Sequence, residues 1–119
     1  MYKSFKEMSI WKLSMDLAVE IYELTESILK KEDYSLTSQI RRSALSISAN
    51  IAEGFGRFHN KDKINFYYYA RGSVTETQSH LIYCSRVKFL KSDVSENLIE
   101  RLEEINKSLK NNESTLKRQ

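Results

Sequence analysis

The chain has 119 residues, 40% of them hydrophobic and 29% charged, with a net charge of +3. That is enough for one domain, residues 1–119, with its own core, and it is ordinary for a soluble protein. A single cysteine, Cys84, excludes an internal disulfide. No apolar run approaches the roughly 20 residues of a membrane span, and the first residues lack a signal peptide's apolar core, so a cytoplasmic protein with no membrane segment is expected.

There is no proline and there are three glycines, so few turns are obligatory and long helices are favoured. The first helix is predicted over Ser9–Lys30, with Ser9 as its N-cap. Ile10, Leu13, Leu17, Ile21, Leu24 and Ile28 form one stripe, and Trp11, Met15, Ala18, Tyr22 and Leu29 a second. Together they are wide enough to touch two partner helices. Residues 31–35 make a link, with Ser35 as the next cap.

The second helix, Leu36–Phe55, is the most patterned. Leu36, Ile40, Ala44, Ile47, Ile51, Phe55 and Phe58 fall on one face at helical spacing. Gln39, Arg42, Ser46, Asn50, Glu53 and Arg57 fall on another. Ser38, Leu45, Ser48, Ala49, Ala52 and Gly56 make a third, mostly small, face that would let another helix come close. Gly54 and Gly56 suit a left-handed helix end.

The third helix is predicted over Lys61–Leu90, capped by Asn60. Phe66, Ala70, Val74, Thr77, Leu81 and Cys84 form its stripe. Gly72 has no turn signal beside it and is expected to mark close helix–helix contact. Asp93 and Glu96 have capping-box spacing. Leu98, Leu102, Ile105, Leu109, Asn112 and Leu116 then alternate by four and three, the seam of a bundle. The polar tail Asn111–Gln119 is expected to fray. Four such helices with short links predict an all-α, up-down-up-down antiparallel four-helix bundle.

These residues carry a family resemblance. Gln39, Arg42, Ser43, Ser46, Ile47, Ser48, Asn50, Ile51, Ala52, Glu53 and Gly54 resemble the signature of the bacterial four-helix-bundle proteins encoded in intervening sequences of 23S rRNA genes. Trp11-Lys12, Glu32-x-Tyr-x-Leu36 and Ala70-Arg-Gly-Ser73 with Glu76 and Leu81 agree with it over nearly the whole chain. Ser48 replaces the family's usual proline, and Thr77 and His80 stand where Leu and Gln are usual. The resemblance implies a ring-shaped homopentamer. A related branch comprises accessory proteins of diversity-generating retroelements, basic pentamers that bind nucleic acid and a reverse transcriptase. No settled activity comes with the intervening-sequence branch itself.

Charge is uneven along the chain. Glu7–Asp33 carries net −4, Arg41–Lys91 net +6 and Asp93–Glu113 net −3. A basic middle fits an anionic partner, RNA or DNA, and equally fits complementary helices within or between subunits. Arg41, Arg42, Arg57, Lys61, Lys63 and Arg71 are the candidate phosphate contacts. No helix-turn-helix, zinc-finger or RNP motif reads bases.

Gln39, Ser46, Asn50, Glu53, Gly54 and Gly72 are assigned to packing and assembly, because no nucleophile–base pair can be named among the polar ones. Pairing of Arg42 and Arg57 with Glu53 or with another subunit's acids is the structural alternative to anion contact. Glu76, His80 and Cys84 stack on one helix face but lack further ligands, so no metal or cofactor is expected. Tyr67, Tyr68 and Tyr69 point in three directions, mostly into core or interface. No phosphate loop, HExxH or GxSxG is present, so the expectation is a non-enzyme. It is a homo-oligomer that binds nucleic acid, or a structural or protein-interaction oligomer with no nucleic-acid role.

Overall fold

The computed structural model describes residues 2–30 and 33–119. Four long helices dominate: α1 (Ser9–Leu24), α3 (Tyr34–Phe55), α4 (Asn60–Arg86) and α5 (Ser92–Lys117). A single turn, α2 (Glu26–Leu29), follows α1, and a short 3-10 turn (Phe5–Glu7) precedes it. No strand occurs among the described residues.

Neighbouring helices run antiparallel. On α3 and α4, Arg42 meets Glu76, Ser43 meets Thr77 and Gly54 meets Tyr67, so rising numbers face falling ones. Leu81 meets Ser95, Gln78 meets Ile99 and Arg71 meets Glu113 between α4 and α5. Short links demand this arrangement. Residues 56–59 span at most about 14 Å, whereas α3 is about 33 Å long, so the chain must reverse there. The bundle measures 48 × 20 × 19 Å.

The core is the apolar line of each helix. Ile10, Leu17 and Ile21 meet Ile40, Ala44, Ile47 and Ile51, with Ala70, Val74, Leu81 and Cys84, and Leu98, Leu102, Ile105 and Leu109. Two buried hydroxyls cross it. Ser43 Oγ and Thr77 Oγ1 lie 2.9 Å apart, and each also reaches a backbone carbonyl, Ile40 and Ser73 respectively. Both polar atoms are therefore satisfied without water.

Several local expectations are corrected. The first helix does not run unbroken to Lys30. It breaks at Thr25, whose ψ of −1° leaves the helical range and whose Oγ1 donates back to the Ile21 carbonyl at 2.7 Å. Ser14, not Leu13, lies in the α1 core, and Leu13 is exposed. Asp33, not Ser35, caps α3, accepting from the Leu36 amide at 3.0 Å. Lys31 and Glu32 of the predicted link lie outside the described residues.

Met8, His59 and Lys91 occupy the N-cap positions of α1, α4 and α5, without side-chain caps. Ser9 and Asn60 are thus the first helical residues, and Asp93 accepts only from the adjacent Val94 amide. No glycine has positive φ, so neither Gly54 nor Gly56 is a left-handed stop. The left-handed residue is Lys88, with φ of 64°, where α4 ends four residues short of Leu90. The tail does not fray as expected. α5 continues to Lys117, because Glu113 is buried against Arg71 and Leu116 packs on the core.

Candidate functional site

Three of the candidate cations are placed by three different local needs. Arg41 clasps the break after α1. Its Nε donates to Thr25 Oγ1 at 2.9 Å, its Nη2 donates to the Tyr22 carbonyl and to Glu26 Oε1 at 3.0 Å each, and its guanidinium lies 3.9 Å from the Tyr22 ring centroid. Lys63 closes the end of α3, donating to the carbonyls of Phe55 at 2.8 Å and Gly54 at 3.3 Å. Burial there holds its ammonium below the usual lysine range. Arg71 pairs with Glu113 at 2.9 Å, and the Glu113 side chain is only 4% exposed. Arg71 Nε and Glu113 Oε2 have no hydrogen-bond partner.

Arg42 and Arg57 remain on the surface. Arg42 pairs with Glu76 at 2.8 Å, and Arg57 pairs with Glu53 at 3.1 Å while lying 4.7 Å from the Phe66 ring centroid. Exposed pairs of this kind contribute about 0–1 kcal/mol, so both side chains are readily redirected. Lys61 is exposed and makes no ion pair among the described residues. Of the six candidates, three are thus spent on packing and three face outward.

The polar line of α3 lies along the outer edge of the α3–α4 seam. Ser46 donates to the Arg42 carbonyl and Asn50 donates to the Ser46 carbonyl, at 2.8 and 2.9 Å. Gln39 is exposed. Gly54 supplies the close approach to α4: a Cβ there would sit 2.8 Å from Tyr67 Cε1. Gly72, expected to mark such a contact, has nothing within 4 Å of the corresponding position. α4 turns that face outward.

The small face of α3 lines the outer side of the α1–α3 seam. Met15, Ala18, Val19 and Tyr22 of α1 and Leu45 of α3 form a shallow apolar groove of about 660 Å³, rimmed by Glu23, Arg41 and Arg42. Val19 is 50%, Tyr22 54% and Leu45 53% exposed. Further along α3 a second hollow is lined by Ala49, Ala52 and Gly56 together with the Glu53–Arg57 pair. The width of the α1 apolar face signalled this surface. α1 packs on both α3 and α5, and Val19, Tyr22 and Leu45 are left half-exposed beside that packing, with Tyr22 touched by Arg41.

The tip between α3 and α4 was not legible as a site. Phe58, expected on the isoleucine face, is 89% exposed, its ring edge-on to His59 at 5.1 Å. Leaving a phenylalanine in water forgoes roughly 1.5–3 kcal/mol of burial.

His80 Nε2 lies 3.3 Å from Glu76, which Arg42 also holds. Cys84 is buried in the core, where burial first and the Asp33 charge second push its thiol up to about 11. A thiol in that state is a poor nucleophile. No group of three or more His, Cys, Asp or Glu side chains converges among the described residues. Tyr67 is core, while Tyr68 and Tyr69 are exposed. Tyr68 lies under Lys117 and Arg71, at 5.4 and 5.9 Å from its ring centroid.

The model of the 23S rRNA-intervening sequence protein family matches residues 6–111. The chain belongs to that family. No curated protein matches it. A solved structure from Bacteroides thetaiotaomicron VPI-5482, described as a protein with unknown function from the S23 ribosomal protein family, is similar at 28% identity and a TM-score of 0.77. The similarity covers 84% of this chain and 94% of that one. Ser48 lies inside α3. Its hydroxyl is held by the Leu45 carbonyl at 3.0 Å, and α3 runs uninterrupted. No helix among the described residues is long and apolar enough to cross a membrane.

Proposed function

We propose that this family member is a non-catalytic protein that self-assembles into a homo-oligomeric ring, a pentamer as the family resemblance implies. The ring contacts RNA or a ribonucleoprotein through basic residues repeated on each copy. The observation that carries the assembly is the apolar α1–α3 groove. It lies between α1 and α3, and a second hollow further along α3, lined by Ala49, Ala52 and Gly56 with the Glu53–Arg57 pair at its side, gives small residues over which a second helix can approach. A second copy of this helical chain is the fitting occupant, and closed rings are built from such head-to-tail contacts.

Nucleic-acid contact is supported by Arg57 and Lys61, which face outward at one end of the bundle. Repeated around a ring, a patch weak in one copy acts by multivalency. A second reading is favoured by Arg41, Lys63 and Arg71, whose charges are spent within the chain. It is an oligomer that serves structure or a protein partner, such as a reverse transcriptase, and has no nucleic-acid role.

A salt-titrated binding assay against RNA and DNA, with the oligomer mass measured alongside, decides between them. The first reading expects binding that weakens steeply with salt and is further weakened by Lys61→Glu at unchanged mass. Absence of salt-sensitive binding to any polynucleotide, with the oligomer intact, favours the second.

A further inference from the structure

Phe58 sits at the tip of the four-residue link between α3 and α4, 89% exposed. The link around it is anchored on three sides. Lys63 holds the last carbonyls of α3, the Arg57 amide donates to the Gly54 carbonyl, and Asn60 Nδ2 donates to the Leu116 carbonyl at the end of α5. Tyr67 fills the space over Gly54. The ring is therefore held out in solvent by a pinned loop. His59 touches the ring, Arg57 and Lys61 flank it in sequence, and Asn60 ties the loop to the end of α5, which carries Lys117 and Arg118. The acids nearby are Glu53, which Arg57 already holds, and Asp62.

We propose that Phe58 is a stacking platform for an unpaired base of single-stranded nucleic acid, with Arg57 and Lys61 holding the flanking phosphates. The arrangement matches what sequence-tolerant single-strand recognition requires: an open aromatic face set among cations that follow the backbone. Bases inside a duplex are stacked on one another and cannot use the ring. This role rests on the nucleic-acid contact proposed above and identifies its substrate as unpaired strand.

The test uses the full chain with labelled oligouridylate, oligothymidylate and an RNA duplex of equal length. Single-strand affinity is expected to fall about tenfold in Phe58→Ala and in Phe58→Leu. It is expected to be kept in Phe58→Tyr and Phe58→Trp, because the π-face and not mere apolarity is what binds. The slope of log Kd against log salt should stay as in the parent, since the phosphate contacts remain, whereas Lys61→Gln should lower that slope. Oligomer mass and thermal unfolding should be unchanged in every Phe58 variant. Binding that is indifferent to Phe58→Ala, or equally strong to the duplex, overturns the stacking role and leaves the broader nucleic-acid reading standing. Loss of oligomer mass in Phe58→Ala reassigns the ring to self-assembly and overturns it as well. If the parent chain binds no polynucleotide at any salt, both readings fall together.

Discussion

Gly54 and Tyr67 touch so closely that no side chain fits between α3 and α4 at that level: an added Cβ would lie 2.8 Å from Tyr67 Cε1 and 3.2 Å from both Tyr67 Cδ1 and Phe66 Cβ. Gly54→Ala gains about 1 kcal/mol of helix propensity but must displace a packed ring, which costs about 1–3 kcal/mol. Net destabilisation of about 1 kcal/mol is expected in urea unfolding. At Gly72 the corresponding position is open, so Gly72→Ala should stabilise by about 0.5–1 kcal/mol. A destabilised Gly72→Ala, or one of lower oligomer mass, would show that another copy covers that face.

The Arg71–Glu113 pair is expected to be asymmetric. The Glu113 side chain is 4% exposed and the Arg71 side chain 32%. Removing the arginine strands a buried carboxylate, whereas removing the acid leaves a cation that can turn to water. Breaking a fully buried pair costs about 3–5 kcal/mol, and partial exposure of the arginine lowers that. Arg71→Leu should cost about 2–3 kcal/mol and Glu113→Gln about 1 kcal/mol, read from denaturant midpoints. Equal costs would contradict the burial asymmetry.

Alkaline pH should weaken the fold through two buried acids. Burial, with the Asp33 charge, pushes the Cys84 thiol from 9.0 to about 11, and burial raises the Tyr67 hydroxyl. Each has a folded value above its unfolded one, so in that window the folded chain keeps a proton that the unfolded chain has released. For Cys84 the stabilisation is complete below about pH 9 and is lost as pH rises through about 11, and for Tyr67 it starts to be lost above 10.0. For Cys84 the loss is about 2–3 kcal/mol. Lys63 works the other way: its folded value lies below 10.5, so the unfolded chain binds the extra proton and this term grows with pH. Cys84→Ala should flatten the alkaline decline in thermal unfolding, at a neutral-pH cost for the vacated volume.

Leu45 and Val19 line the outer groove without supporting the core, at 53% and 50% exposure. Leu45→Glu should therefore leave helicity and unfolding midpoint within about 0.5 kcal/mol of the parent while lowering the mass measured by light scattering to that of one chain. Unchanged mass would remove the groove from the assembly.

Arg41 provides the control for the basic surface. Its contacts are all within the chain, so Arg41→Ala should cost about 1–2 kcal/mol of stability and leave any polynucleotide affinity unchanged. A selective loss of binding at full stability would return Arg41 to the interface.

Residue order alone determined that this chain is a bundle. Four apolar lines at helical spacing, short polar links and the absence of proline leave one economical solution, and the motif from Gln39 to Gly54 indicates the family. Those properties are local, or depend on period, and period is written in the sequence. What only the tertiary structure decided is which of several similar side chains points where. Arg41 and Arg42 are adjacent, yet one clasps Thr25 and Glu26 while the other faces Glu76 on the surface. Gly54 and Gly72 look alike as helix glycines, yet only Gly54 meets a ring. Phe58 continues the isoleucine stripe on a helical wheel, but the helix stops at Phe55 and the ring swings into water. Each outcome depends on where a partner helix lies within a few ångströms, and residue spacing along one helix carries no information about that.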